Sequence, residues 1–331
     1  MIRRYVPIAL VVALLATACS PGDSNETAPS DTSTSTEAPD TTLPSETTTT
    51  EAADPDFPVT IEAPNGVVTI ESRPERIVSI APTSTEVLFA IGAGPQVVAV
   101  DSLSNYPGHA PVTDLSAFTP SVEAIASYEP DLVFLSFDPG DIVAGLDAIG
   151  IPVILHGTAL SIDDAYTQWG QVGAATGHVD EAAAVVEDTI ESIESAIEAL
   201  PEGTDALSYY YELDPTFYSI TSSTFIGGLL APTGMTNIAD VVDPDGFGYP
   251  QLTAEYILDT DPSLVLLADT KCCGQTADSV SERPGWDTLS AVANDSVVEL
   301  DDDIASRWGP RIADLVEDVV VAILEMALAD G

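Results

Sequence analysis

The chain has 331 residues, of which 45% are hydrophobic, and its 54 Asp and Glu against 8 Lys and Arg give a formal net charge of −46 at pH 7. This charge repels nucleic acids and anionic lipid headgroups, so functions that require a basic surface, nucleic-acid binding among them, are excluded. The length and the hydrophobic content suffice for two domains with buried cores.

The first residues have the pattern of a bacterial lipoprotein signal. Arg3 and Arg4 precede an apolar run over residues 6–15, and small residues then lead to Cys19. We expect removal of residues 1–18, acylation of Cys19, and an extracytoplasmic protein whose lipid is its sole anchor to the outer face of the cell membrane. The alternative is an ordinary secretory peptide cut nearby. A membrane-spanning helix would need about 20 apolar residues, which this run lacks.

Residues 19–56 form a segment of Thr, Ser, Pro, Asp and Glu without a basic residue. Such a composition buries too little apolar surface to offset the entropy of ordering. We therefore expect a disordered, self-repelling spacer between the lipid and the folded domain, with glycosylation left open.

Short apolar strands and helices alternate after the spacer. A hairpin is predicted first, with strands over 59–61 and 67–70 around the turn 63–66. Further predicted strands cover 77–80, 97–100, 132–135 and 153–155, and predicted helices cover 86–91, 122–127 and 142–149. This alternation is typical of an α/β fold with a largely parallel sheet.

A local repeat predicts two lobes. Residues 123–135 align without a gap on residues 255–267, and each copy starts with a Glu in the first helical turn. Pro130 and Pro262 lie seven residues later, where they end the helix before an apolar strand. One supersecondary unit is therefore expected in each of two lobes.

A helix over residues 180–200 is predicted from apolar positions that share one helical face. Twenty helical residues span roughly 30 Å, which is enough to bridge two small domains. We expect an N-terminal lobe over 57–160, a helical connector over 161–201 in which this single rigid helix joins the lobes, and a C-terminal lobe over 202–331.

Four segments together resemble a known family. Residues 76–92, 102–107, 129–133 and 306–312 are similar, in order, to the helical-backbone (class III) substrate-binding proteins of ABC importers, and the resemblance extends over 73–328. That family takes up cobalamin, ferric siderophores and haem. The resemblance implies two α/β lobes joined by a rigid helix, a transported ligand in the cleft between them, and a permease with its ATPase as partner. It implies a monomeric binding protein without catalytic residues or a resident cofactor.

Two carboxylates are implicated in docking by this resemblance. It implies that Glu123 and Glu255, one from each lobe, bind Arg residues of the permease. Both lie in first helical turns, where the helix dipole favours an exposed carboxylate. The alternative is that they only stabilise their own helices, but their correspondence in the repeat favours docking.

Aromatic residues at strand ends predict a cleft for a bulky, flat ligand. They are Tyr106, Phe118, Phe137, Phe217, Tyr249 and Trp308. The resemblance places four of them around the ligand, all except Phe137 and Trp308. The alternative is that these rings cover the protein core.

The scarcity of basic residues favours a neutral or cationic ligand over an anionic ferric chelate. The resemblance places Asp303 and Arg307 in a loop that reaches the ligand, with Arg311 behind them. Cobalamin, which has many amides and little net charge, is the first expectation, and a ferric siderophore or haem is the alternative.

A bare metal ion is disfavoured because the chain has only His109, His156 and His178, which are widely spaced, whereas such sites use clustered ligands. In an oxidising compartment, the adjacent Cys272 and Cys273 are expected to form a vicinal disulfide. A hydrophobic lip of the cleft and thiolate binding of a metal are the alternatives for this pair.

An enzyme is the rival class. The sequence has no Gly-x-Ser-x-Gly, His-Glu-x-x-His or Gly-rich phosphate-binding motif, so an extracellular hydrolase is disfavoured. An adhesion lipoprotein would not need the repeated Glu.

Overall fold

The computed structural model describes residues 54–329. The predicted signal, Cys19 and nearly all of the spacer lie outside these residues. Asp54, near the predicted end of the spacer at residue 56, accepts from Arg73 Nε at its Oδ2 at 2.8 Å. Within the described part, no helix combines the length and apolar character needed to span a membrane.

The N-terminal lobe contains an antiparallel hairpin and a four-stranded parallel sheet of order β4-β3-β5-β6. Its elements are β1 (Val59–Ala63), β2 (Gly66–Ile70), β3 (Ile77–Ile80), α1 (Pro82–Ala90), β4 (Val97–Val100), α2 (Val122–Ala126), β5 (Leu132–Leu135), α3 (Ile142–Asp147) and β6 (Val153–Leu155). The central strands β3 and β5 are buried throughout, because both faces of a parallel sheet are covered. Every strand predicted for this lobe is present.

The predicted helical connector, residues 161–201, contains two helices. These are α4 (Ile162–Thr176) and α5 (Val179–Glu198). Ser161 and Asp164 form a capping box that starts α4, and Gly177, in the left-handed conformation, ends it. Helix α4 packs on α1 and β1 of the N-terminal lobe, so the 20-residue α5 corresponds to the predicted connecting helix.

The C-terminal lobe has a second parallel sheet of order β10-β9-β7-β8. Its elements are β7 (Ser208–Glu212), α6 (Phe225–Leu230), β8 (Thr236–Asn237), α7 (Ala254–Thr260), β9 (Leu264–Leu267), α8 (Thr270–Cys273), α9 (Ala277–Ser281), α10 (Ser290–Ala293), β10 (Val297–Glu299), α11 (Asp302–Ala305) and α12 (Ile312–Ala329). Helix α12 packs along α5. The two-lobed α/β architecture is confirmed.

The sequence repeat is also a structural repeat. Helices α2 and α7 both begin at a hydroxyl cap, since Ser121 accepts from Ala124 N and Thr253 accepts from Tyr256 N. Each helix is followed by a central strand, β5 or β9. Glu129 and Asp261, which directly precede the two prolines, both have positive φ, 50° and 45°.

Candidate ligand-binding cleft

A cavity of about 180 Å³ lies between the lobes. The N-terminal lobe contributes Thr158 and Ala159 from the loop after β6. The C-terminal lobe contributes Leu213, Ile220, residues 224–226, Tyr249 and residues 305–308. The predicted site residues Tyr249, Arg307 and Trp308 are therefore brought together at one site.

Trp308 is held rigidly at this cavity by residues of α4. Its indole Nε1 donates to Gln168 Oε1 at 2.7 Å, and its backbone carbonyl accepts from Trp169 Nε1 at 2.9 Å. Trp169 is fully buried. The indole of Trp308 thus presents a fixed apolar surface whose polar atom already has a partner.

Four of the predicted aromatic residues have exposed side chains, and one of them, Tyr249, lines the cavity. Tyr106, Phe118, Phe137 and Tyr249 all keep 40% or more of their surface exposed, so each is free to contact a ligand. The rings of Phe118 and Phe137 pack together with centroids 5.9 Å apart. These four residues remain candidates for ligand contact.

The structure places Phe217 elsewhere. Its ring stacks on Trp286 at 5.6 Å with an interplanar angle of 23°, and the Arg283 guanidinium lies 5.6 Å from its centroid. It is partly buried against a core cluster of the C-terminal lobe. The prediction that Phe217 contacts the ligand is not supported, because its ring is occupied by this stack.

Sequence reasoning missed several apolar residues in the same loops. Leu160 is 77% exposed and directly follows Ala159, and Phe247 is 83% exposed two residues before Tyr249. The Asp243 carboxylate accepts from the backbone N–H groups of Phe247 and Gly248, which orders this loop. For Phe247, the signal that could have found it was its position two residues before the predicted ligand residue Tyr249.

Arg307 is committed to a contact between the lobes. Its Nη1 donates to Glu86 Oε1 at 2.9 Å and to Asn105 Oδ1 at 3.0 Å, while Nη2 donates to the Leu103 carbonyl and to Asp303 Oδ1. The side chain is 8% exposed. Arg307 lines the cavity, but all of these bonds are internal, and its predicted contact with the ligand stays a prediction.

Arg311 shares the same carboxylate. Its Nε donates to Glu86 Oε2 at 2.9 Å and its Nη2 to Glu86 Oε1 at 2.6 Å. Its guanidinium also lies 4.0 Å from the ring centroid of Tyr106. A Cβ on Gly309 would lie 2.9 Å from Glu86 Oε2, so the absence of a side chain there permits this close approach.

Asp303 is similarly occupied. It accepts from Lys271 Nζ at 2.8 Å, from Asn105 Nδ2 at 3.0 Å and from Arg307. Burial opposes ionisation, but the hydrogen bonds from Lys271 and Asn105 and the charge of Arg307 outweigh it and lower the pKa of Asp303.

Each cation of the C-terminal lobe within the described residues has a carboxylate partner. Lys271 pairs with Asp301 and Asp303, and Arg283 pairs with Glu212. Arg307 and Arg311 pair with Glu86. An anionic ligand would have to compete with these carboxylates for any of the four cations.

A second buried polar cluster lies at the ends of β7 and β9. Arg283 donates to both oxygens of the buried Glu212 at 2.6 and 2.5 Å. Asp269 is also fully buried, and neither of its carboxylate oxygens accepts a hydrogen bond from a protein donor. Burial and the neighbouring Glu212 raise the pKa of Asp269 to about 7.

Glu123 and Glu255 are exposed in the first turns of α2 and α7. Ser121 Oγ donates to Glu123 Oε2 at 3.0 Å, and backbone and Ser121 hydrogen bonds lower the pKa of Glu123. Both carboxylates are thus accessible, and their docking role stays a prediction.

Cys272 and Cys273 lie in α8 as free, exposed thiols, so the expected vicinal disulfide is not present in this structure. Burial, the Cys273 thiol and the Asp302 carboxylate raise the pKa of Cys272 to about 12. His156 is buried, with Gln171 Oε1 3.0 Å from its Nε2. Within residues 54–329, no group of three or more His, Cys, Asp and Glu is arranged to hold a metal ion.

Comparison with known proteins agrees with this architecture. The chain is 30% identical over 277 residues to an uncharacterised ABC transporter substrate-binding lipoprotein, YvrC of Bacillus subtilis, covering 81% of this chain and 86% of that protein. It is 30% identical over 274 residues to a cobalamin-binding protein of Halobacterium salinarum, covering 78% and 72%.

A similar solved structure is that of a possible iron-binding (periplasmic solute-binding) protein of Staphylococcus epidermidis, with a TM-score of 0.66 and 25% identity over 76% of this chain and 99% of that one. The family model described as "Periplasmic binding protein" matches residues 77–304. The chain belongs to the periplasmic binding protein family.

Proposed function

We propose that this protein is the substrate-binding lipoprotein of an ABC importer and that it captures cobalamin or a related corrinoid. The observation that carries the ligand assignment is a cleft lined by Phe225, Tyr249 and Trp308, in which the nearby cations already have carboxylate partners. Cobalamin has many amides and little net charge, so it does not require a free cation. The similarity to a cobalamin-binding protein of Halobacterium salinarum supports the same ligand class.

The charge distribution argues against haem and most ferric siderophores. Their carboxylates or catecholates are normally bound through charge-assisted hydrogen bonds from Arg or Lys. In this cleft, Arg307 and Arg311 would first have to leave Glu86, which is itself only 3% exposed. An iron chelate remains the second candidate because of the similarity to the structure of a possible iron-binding protein from Staphylococcus epidermidis.

Delivery would use the two exposed carboxylates on corresponding helices. Glu123 and Glu255 lie on one helix of each lobe, so a permease with two matching basic sites could engage both lobes together. We expect the lipid on Cys19 to hold the protein, as a monomer, close to that permease. The protein is expected to bind and release the ligand without catalysing a reaction.

The test is direct titration of the purified protein with cobalamin, haem and ferric siderophores at low and high salt. We expect saturable cobalamin binding at micromolar concentration or below, with little dependence on salt because few charges are neutralised. Saturable binding of a siderophore or haem, with none of cobalamin, would overturn the corrinoid assignment in favour of the second candidate.

A further inference from the structure

An open groove of about 610 Å³ lies on the surface where α5 and α12 pack against each other. It shares no lining residue with the cavity between the lobes, so it is separate from the ligand cleft. Its lining positions on α5 extend from Asp188 to Ala199, a distance of roughly 16 Å or three helical turns. The groove is therefore long enough to hold a short helix of another protein.

The floor of the groove is apolar. Val320 is 3% exposed, and Ala196 and Leu324, which also line the groove, pack partly buried on the same core cluster. Val321, next to them on α12, keeps 52% of its surface exposed. Covering this surface with apolar side chains of a partner would remove it from water and favour binding.

Three exposed carboxylates line the same groove, those of Asp188, Glu191 and Glu317. Helices α5 and α12 contain no Lys, Arg or His. Among residues 54–329, none of the ion pairs involves any of these three carboxylates. The negative charge of the groove is therefore not balanced by the described part of the chain, and a cationic partner would complement it.

We propose that the groove between α5 and α12 binds a basic amphipathic helix of a partner protein. The apolar face of that helix covers Val320, Val321 and Leu324, and its Lys or Arg side chains reach Glu191 and Glu317. The long stems of Lys and Arg cover apolar surface while their charged ends meet carboxylates at the border of the groove. This interaction is independent of the ligand in the cleft.

The charge of the groove argues against other occupants. A second copy of the chain would bring the same carboxylates into contact, and residues 19–56 contain Asp and Glu but no basic residue. Anionic lipid headgroups are repelled for the same reason. A small polycation would pair with the carboxylates but would leave the apolar floor exposed to water.

The probe is a synthetic helical peptide of about four turns with Leu on one face and Lys along its borders. Its dissociation constant for the purified protein is measured by fluorescence anisotropy at physiological salt. Glu191→Lys combined with Glu317→Lys should raise this constant by about tenfold or more, because two attractive charge pairs become repulsive. Glu194→Lys combined with Glu325→Lys is the matched control and should stay within about twofold of wild type, because it changes the charge equally at exposed positions of the same helices outside the groove.

A second variant tests the shape of the groove with all carboxylates in place. Ser195 is an exposed lining residue, so Ser195→Trp should fill the groove and weaken peptide binding by about tenfold. Ala327→Trp, at an exposed position of α12 outside the groove, should leave binding unchanged. Because all of the substituted residues are exposed, we expect each variant to fold.

Equal weakening by the two pairs of Lys substitutions would mean that the peptide responds only to the net charge of the protein, and it would overturn the proposal. So would the absence of saturable binding, or equally tight binding of a peptide with Glu in place of Lys. A wild-type dimer in sedimentation experiments that Ser195→Trp dissociates would assign the groove to a second copy of the chain and contradict the proposed partner.

Discussion

Glu86 Oε1 of the N-terminal lobe accepts from Arg307 Nη1 of the C-terminal lobe at 2.9 Å, and both side chains are buried. Arg311 binds the same carboxylate, so removing the charge of Glu86 leaves both arginines without their common partner. Loss of one partner from a buried ion pair costs about 3 to 5 kcal/mol.

We therefore predict that Glu86→Gln lowers the free energy of unfolding by about 3 kcal/mol, measured by urea denaturation. Glu317→Gln, at an exposed position on α12, should change it by less than about 0.5 kcal/mol. The same Glu86 variant should gain affinity for an anionic ferric chelate, since Arg307 and Arg311 then lack the Glu86 carboxylate. An unchanged unfolding curve would mean that the cluster does not stabilise the arrangement of the lobes.

Tyr249 and Phe217 should respond in opposite ways to truncation. Tyr249 is half exposed at the cavity, so Tyr249→Ala should weaken cobalamin binding by about 1 to 3 kcal/mol at nearly unchanged stability. Phe217 stacks on Trp286, so Phe217→Ala should lower the free energy of unfolding by about 3 kcal/mol without weakening cobalamin binding. Calorimetric titration and denaturation of both variants provide the measurement, and a reversed pattern would restore Phe217 to the ligand site.

These two residues also show what the sequence could and could not reveal. The repeat of α2–β5 in α7–β9 was predictable because its determinants, an early Glu, a terminating Pro and an apolar strand, lie within 13 residues in each copy. The stack of Phe217 on Trp286 depends on contacts across 69 residues of chain. Arg307 and Glu86 are 221 residues apart, so only the folded structure reveals that the cation is occupied.

The connector was only half predictable for a related reason. The apolar stripe of α5 was found, whereas α4 was missed although Ser161 and Asp164 carry a capping-box signal. Helical periodicity does not indicate which of the two helices packs on the N-terminal lobe, because that depends on tertiary contacts.

Permease docking can be tested with charge reversal. Glu123→Arg and Glu255→Arg should each abolish ligand uptake by cells while leaving ligand affinity of the purified protein unchanged. Glu181→Arg is the matched control, because Glu181 is also an exposed first-turn residue, on α5, and it should transport normally. Loss of ligand binding in either docking variant would instead place that Glu in the cleft.

The raised pKa of Cys272 predicts slow thiol chemistry. With a pKa of about 12 against about 8.5 for an ordinary Cys, few molecules carry the reactive thiolate at pH 8. Alkylation by iodoacetamide, followed by mass spectrometry, should be at least tenfold slower at Cys272 than for a free cysteine peptide. Asp302→Asn should accelerate it by removing the nearby negative charge. A native mass that shows two hydrogens missing would reveal the vicinal disulfide and contradict this prediction.

The buried Asp269 should make stability depend on pH. Burial and Glu212 raise its pKa in the folded protein to about 7, whereas an unfolded Asp titrates near 3.9. Between these values the folded protein binds more protons than the unfolded chain, so this group favours folding fully below about pH 4 and loses that effect as pH rises to 7. Arg283 and Asp302 also act on this carboxyl, Arg283 lowering its pKa and Asp302 raising it.

The measurement is urea denaturation of wild-type protein and Asp269→Asn from pH 5 to pH 8. His156 acts in the opposite direction, because burial lowers its pKa to about 4 and it destabilises the fold as pH falls below its unfolded value of about 6.5. Since both proteins contain His156, its effect cancels in the difference between them. We expect the stability of the wild type relative to Asp269→Asn to decline from pH 5 to about pH 7 and to level off above it, because Asp269 is then ionised in both the folded and the unfolded protein. A difference that does not vary with pH would mean that Asp269 is ionised throughout, with a partner that compensates its charge.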